Sequence, residues 1–154
     1  MENLLPVIVG GLIGLAGGFI GPWFLQKTKD ASERKKHRAE KFEELVQTVY
    51  EHQFWLNNVK DIRVFAEKRE EPPSPFAKLE SIAMVYFPQF LPSIPELDKL
   101  SDAYEMWMRE GAKKRLAGRI RELSDGIMDV YNPYSKQLIS FLAELRTYAK
   151  TEFE

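Results

Sequence analysis

From Asn3 to Gln26 the chain runs for 24 residues without a formal charge, and nearly all of them are apolar or glycine. Wound as a helix, such a run reaches about 36 Å, enough to cross a hydrocarbon core about 30 Å thick with some tilt. The pattern therefore predicts a membrane-spanning helix over residues 1–26. A cleaved signal peptide is the rival reading, and the flanks oppose it. Met1, Glu2 and Asn3 precede the run, whereas a signal peptide carries its positive charge there. Cleavage after Ala16 to Gly18 would also leave Phe19, Ile20, Trp23, Phe24 and Leu25 on the mature end.

Positive charge follows the run instead. Lys27, Lys29, Arg34, Lys35, Lys36, Arg38 and Lys41 stand against Asp30, Glu33 and Glu40 in a basic segment over residues 27–41. Lysine and arginine beside a spanning helix are kept on the cytoplasmic side, and they attract anionic lipid headgroups. The expected location is a cell inner membrane, with the N-terminus outside and residues 42–154 forming a cytoplasmic domain.

Six of the nine glycines lie in the uncharged run: Gly10, Gly11, Gly14, Gly17, Gly18 and Gly21. At 100° per residue they share an arc of about 120°, opposite Ile8, Leu12, Ile13, Leu15, Phe19 and Ile20. Gly10, Gly14 and Gly18 make two consecutive GxxxG steps, and Gly17 with Gly21 adds another. Small residues at this spacing let helix backbones approach closely in lipid, so Gly10, Gly14, Gly17, Gly18 and Gly21 are the expected helix-association face of a homo-oligomer. The bland alternative is a passive anchor, since spanning helices are glycine-rich in any case. The run has no polar face to hold a wide water column, so any channel would be narrow or hydrophobically gated.

Beyond the membrane segment the apolar periodicity is helical throughout. Asp30 and Glu33 have capping-box spacing, so a helix restarts there or runs on from the membrane. Leu45, Val46, Val49, Tyr50 and Leu56 share one face, while Trp55, Val59, Ile62 and Ala66 occupy a rotated one. This rotation means a bend near Asn57 and Asn58 or a helix buried on more than one side. Pro72, Pro73 and Pro75 break the helix, with Ser74 as the next N-cap. Phe76, Leu79, Ile82, Ala83 and Tyr86 form a helix that ends at Pro88. The connection Pro88 to Pro95 is too apolar for a solvated loop, so it is expected to pack on the core or on a partner.

Ser93, Pro95 and Glu96 repeat the start signal for a helix bearing Leu97, Leu100, Tyr104, Trp107 and Met108, as far as Gly111. From Leu116 through Ile120, Leu123, Ile127, Val130, Tyr134, Leu138, Phe141, Leu145 and Tyr148 the apolar positions alternate by four and three, a bundle seam. Asn132 and Pro133 should kink or divide it. The expected fold is all-α: a transmembrane helix followed by a cytoplasmic bundle of four or five helices.

Composition removes several chemistries. With no cysteine there is no disulfide framework, thiolate nucleophile or cysteine-ligated zinc site. His37 in the basic run and His52 on the following helix are the only histidines, and no HExxH, Walker, GxSxG or Rossmann pattern occurs. No catalytic residue, cofactor or metal ligand is predicted, and an enzyme is disfavoured.

A second basic group, Lys113, Lys114, Arg115, Arg119 and Arg121, is a candidate anion-binding site. With Tyr131 and Tyr134 it could receive lipid headgroups, an anionic ligand or an RNA backbone. The competing reading is a solvated helix face balanced by Glu110, Glu122 and Asp125, and the spread of charge around the helix favours it. Membrane lipid, a second copy and a cytoplasmic protein are the expected partners; nucleic acid is disfavoured.

The glycine-rich start Leu4 to Leu25, the basic stop Gln26 to Lys41 and the helical remainder resemble, in layout, small single-pass proteins of bacterial inner membranes. These include membrane accessory proteins of RNA-targeting CRISPR systems. The resemblance implies assembly into rings that perturb the membrane in antiviral defence. Neither histidine has an arginine at the spacing of HEPN-type nucleases. Two functions are thus expected from this chain: a pore-forming or membrane-perturbing effector controlled by its helical domain, or a non-conducting tether or scaffold presenting a helical docking surface to a cytoplasmic protein or nucleoprotein partner.

Overall fold

The structure, a computed structural model, describes the backbone of residues 4–153 and the side chains of residues 32–153. All the regular elements among them are helical: α1 (Leu4–Arg63), α2 (Phe76–Tyr86), α3 (Ile94–Leu116) and α4 (Ile127–Phe153), with short 3-10 helices at Pro88–Ser93 and Ile120–Glu122. The chain divides into two compact units, Met1–Glu40 and Lys41–Glu154. Among the residues with described side chains, no helix is long and apolar enough to cross a membrane. The predicted span over residues 1–26 lies outside them. α1 is continuous through Asp30 and Glu33, with no restart there.

Within the second unit the helices pack up, down, up, down as a four-helix bundle. Phe76 at the start of α2 lies against His52, ring centroids 5.0 Å apart, and Phe87 just past its end lies 5.6 Å from Phe42, so α2 runs antiparallel to α1. Along α3, Ser101 meets His52 and Gly111 meets Val64, which makes α3 parallel to α1. Tyr134 near His52 and Tyr148 near Phe42 set α4 antiparallel again.

The sequence spacing explains which faces turn inward. On α1, Phe42, Leu45, Val49, His52, Leu56 and Val59 step by three and four and are all buried, with Thr48 and Trp55 as a second row. α1 therefore continues past Asn57 and Asn58 to Arg63, buried on more than one side. Ile94, Leu97, Ser101, Tyr104, Met108 and Gly111 repeat the same step on α3, and Tyr134, Leu138, Phe141 and Leu145 continue it on α4. Burial of such stripes, at about 25 cal/mol per Å² of apolar surface, is what joins helices of marginal individual stability.

The proline-rich stretches behave differently from each other. The expected cap at Ser74 is shifted by one residue: α2 starts at Phe76 with Pro75 as its N-cap and no side-chain cap, and Ser74 Oγ accepts the Phe76 N–H at 3.3 Å from just outside the helix. The hydroxyl of Ser93 instead donates to Glu144 on α4 at 2.7 Å and caps nothing. Between them, Phe87, Phe90 and Ile94 are buried, so the apolar 88–95 connection packs on the core. The irregular segment before α2 is pinned to α1 by Trp55 Nε1–H donating to the Pro72 carbonyl at 2.8 Å and by the Arg63–Glu71 ion pair.

Three expected boundaries are corrected. Gly111 does not end α3, which continues to Leu116; its missing Cβ serves a close approach, since a Cβ there would stand 3.1 and 3.2 Å from the two Val64 methyls. Pro133 lies inside α4, which it does not divide, because burial of Tyr134 and Leu138 on the same helix outweighs one lost backbone bond. The seam from Leu116 to Ile127 is not one continuous helix. Gly118 at φ 74° ends α3 in a Schellman arrangement: Arg119 N–H donates to the Lys114 carbonyl and Gly118 N–H to that of Arg115, at 2.9 and 3.0 Å. Leu116 and Ile120 consequently face outward.

The Gly111 contact gives a direct test. Gly111→Leu is expected to cost about 2 kcal/mol by overpacking, and pairing it with Val64→Ala should recover part of that loss. Denaturant midpoints of the two single variants and the double one measure the coupling; strictly additive losses would mean that the two residues do not meet.

Candidate functional site

Of the residues singled out for association, Gly10, Gly14, Gly17, Gly18 and Gly21 lie outside the described side chains, as do Lys27 and Lys29. In the first unit, Arg34, Lys35, Lys36 and Arg38 are exposed, and the His37 ring stands 3.9 Å from Glu40. Lys41 opens the second unit half-buried, paired with Glu44 at 2.7 Å and lying 5.6 Å from the centre of the Tyr86 ring. Lys41, and then Lys78 at 3.2 Å, hold the Glu44 carboxyl below its ordinary pKa.

The candidate anion-binding group sits around the connection from α3 to α4. Lys113, Lys114 and Arg115 end α3, while Arg119 and Arg121 belong to the connection. Lys113 pairs with Glu110 at 2.6 Å and Arg119 with Glu122 at 3.2 Å, while Lys114 Nζ donates to the Glu122 carbonyl at 3.0 Å. The tyrosines expected beside this group are elsewhere. Tyr134 is buried, and the half-buried Tyr131 packs edge-on against Tyr104, centroids 5.7 Å apart. Aliphatic side chains take their place at the surface: Leu116 is 79% exposed, Ile120 60% and Met128 63%.

This tip is a pinned structure. Leu123 is buried beneath it, and Trp107 Nε1–H donates to the Asp125 carbonyl at 2.8 Å. Gly118 and Gly126, both at positive φ, bracket the turn, and that glycine pair is the sequence signal that separates it from a continuous seam.

A second surface feature is a cleft of about 250 Å³ between α1 and α4, walled by Phe42, Val46, Tyr50, Leu142, Leu145 and Ala149 with Arg146 at its rim. Its lining is mainly hydrocarbon, and nothing in it converges on a reacting atom.

The bundle interior holds the remaining chemistry. His52 is 2% exposed and stacks on Trp55 with centroids 5.7 Å apart. Ser101 Oγ donates to the Leu97 carbonyl at 2.8 Å, so its proton is committed; at 3.0 Å from His52 Nε2 it accepts the ring N–H. That fixes the tautomer and leaves Nδ1 as an acceptor with no hydrogen-bond partner among the described residues. Burial accordingly pushes the His52 pKa down to about 4. Burial also pushes the Tyr104 phenol up to about 12 and raises that of Tyr134, so both remain neutral. Among the described residues, no three His, Asp or Glu side chains gather as a metal site.

No family model, curated protein or solved structure matches the chain.

Proposed function

We propose that the chain is a self-associating single-pass protein of a bacterial inner membrane, N-terminus outside, whose oligomer acts as a pore-forming or membrane-perturbing effector. One observation carries this reading: the glycine arc lies on an uncharged run long enough to span a bilayer. In lipid, close backbone contact substitutes for the hydrophobic drive that is missing there, and a one-sided glycine face directs it. The helical bundle, on the cytoplasmic side by the charge rule, would control the assembly. On the layout it shares with membrane accessory proteins of RNA-targeting CRISPR systems, the effector would serve antiviral defence. No catalytic role, cofactor or metal is part of the proposal.

Overproduction of the full chain should depolarise cells. The double variant Gly14→Leu/Gly18→Leu should abolish depolarisation while remaining in the membrane fraction, because bulky side chains keep the backbones apart without lowering apolarity. A wild-type chain that leaves the membrane potential unchanged removes the effector reading.

The cleft between α1 and α4 favours a second reading, a non-conducting tether that docks a cytoplasmic protein. Exchanging residues 1–26 for an unrelated spanning helix separates the two: a tether keeps its partner, whereas an effector that needs the glycine face loses its action.

A further inference from the structure

We propose that the α3–α4 tip is a docking surface for an anionic lipid bilayer, with Leu116, Ile120 and Met128 entering the interface and Arg119 and Arg121 meeting headgroup phosphates. This inference goes beyond the proposed anchor and does not depend on it.

The observations converge at one end of the bundle. Three large aliphatic side chains stand out around a turn that Leu123, Trp107 and Lys114 hold in place: Ile120 within it, Leu116 at the end of α3 and Met128 at the start of α4. Water gains nothing from such side chains, whereas the boundary between headgroups and acyl chains accepts them together with flanking cations. From Glu110 to Asp129 the segment carries Lys113, Lys114, Arg115, Arg119 and Arg121 against Glu110, Glu122, Asp125 and Asp129, a small excess of positive charge. Glu122 pairs with Arg119 at 3.2 Å, an exposed ion pair that a headgroup phosphate can displace. The net charge thus complements an anionic surface.

The company of these cations selects lipid over nucleic acid. Single-stranded RNA is bound by aromatic faces beside cations, whereas here Tyr134 is buried and Tyr131 packs edge-on against Tyr104. Aliphatic side chains provide no stacking platform but partition readily into acyl chains.

The absence of native cysteine permits a clean test. Full-length chains carrying either Ala117→Cys at the tip or Ser81→Cys on α2, both exposed positions, are labelled with an environment-sensitive NBD dye. They are embedded in phosphatidylcholine nanodiscs and mixed with vesicles of roughly 3:1 phosphatidylcholine to phosphatidylglycerol, or of phosphatidylcholine alone. The tip label is expected to shift to the blue and brighten roughly threefold with the anionic vesicles only, with the α2 label unchanged. Leu116→Glu/Ile120→Glu should abolish the response, and Arg119→Glu/Arg121→Glu should do the same, each with an unaltered far-UV circular dichroism spectrum. A silent tip label, an equal response to neutral vesicles, or an equal response at Ser81→Cys overturns the proposal. A chain that needs no nanodisc would contradict the membrane anchor, and the titration then run in plain buffer would still decide the tip.

Discussion

Between pH 7 and pH 5 the bundle is expected to lose about 2 kcal/mol of stability through His52 alone, and His52→Phe should remove that dependence. In the unfolded chain the imidazole binds a proton near its ordinary pKa of about 6.5. In the fold, burial lowers that value to about 4. Between those two values the unfolded state holds more proton than the folded one. Stability is therefore full above about pH 6.5, falls as pH drops toward 4, and changes no further through this group below that. The full effect approaches about 3 kcal/mol at one pKa unit per 1.36 kcal/mol. Comparison at pH 5 stays above the range in which most carboxylates titrate. Phenylalanine preserves ring contacts with Trp55 and Phe76, and Ser101 keeps its bond to the Leu97 carbonyl, so the variant should remain folded. Urea midpoints followed by circular dichroism at both pH values measure the slope; wild type and variant losing stability in parallel would acquit His52.

Phe87→Ala is expected to be the most damaging single truncation here, at about 3–5 kcal/mol. Phe87 is fully buried just beyond α2, and its ring lies 5.6 Å from Phe42, 6.2 Å from Phe90 and 5.9 Å from Tyr148. It joins α1, α4 and the 88–93 connection at one point, so alanine leaves a cavity that rigid rings on three sides cannot close. Phe54→Ala, at a side chain 66% exposed on α1, provides the contrast and should change stability by less than about 0.5 kcal/mol. Guanidinium midpoints that differ little between the two would show that the aromatic cluster does not support the bundle.

Periodicity made the helices legible, because a three–four step of apolar residues is itself the buried stripe of a bundle helix. The errors came where one local sign had two physical causes. Gly111 reads as a helix stop, yet it is the absence of a Cβ facing Val64 that matters. Leu116 and Ile120 fit the rhythm of the following helix, but Gly118 and Gly126 adopt positive φ, and the chain turns between them. His52 occupies a core slot in that rhythm, although polar residues are rarely so enclosed. Of the candidate site, the cations could be read directly, whereas their neighbours could not. Which of Tyr131, Tyr134, Leu116 and Ile120 accompanies them depends on where the turn falls, and one residue of drift on a helix moves a side chain by 100°.

The first and last helices of the bundle meet at one end, where the Phe42 and Phe153 rings lie 5.5 Å apart. Tension applied between Lys41 and the C-terminal helix would thus open the bundle like a zipper, parting contacts in succession, instead of shearing whole helix faces at once. The aromatic cluster around Phe87 would be the first to yield, making that end the mechanical latch of the domain.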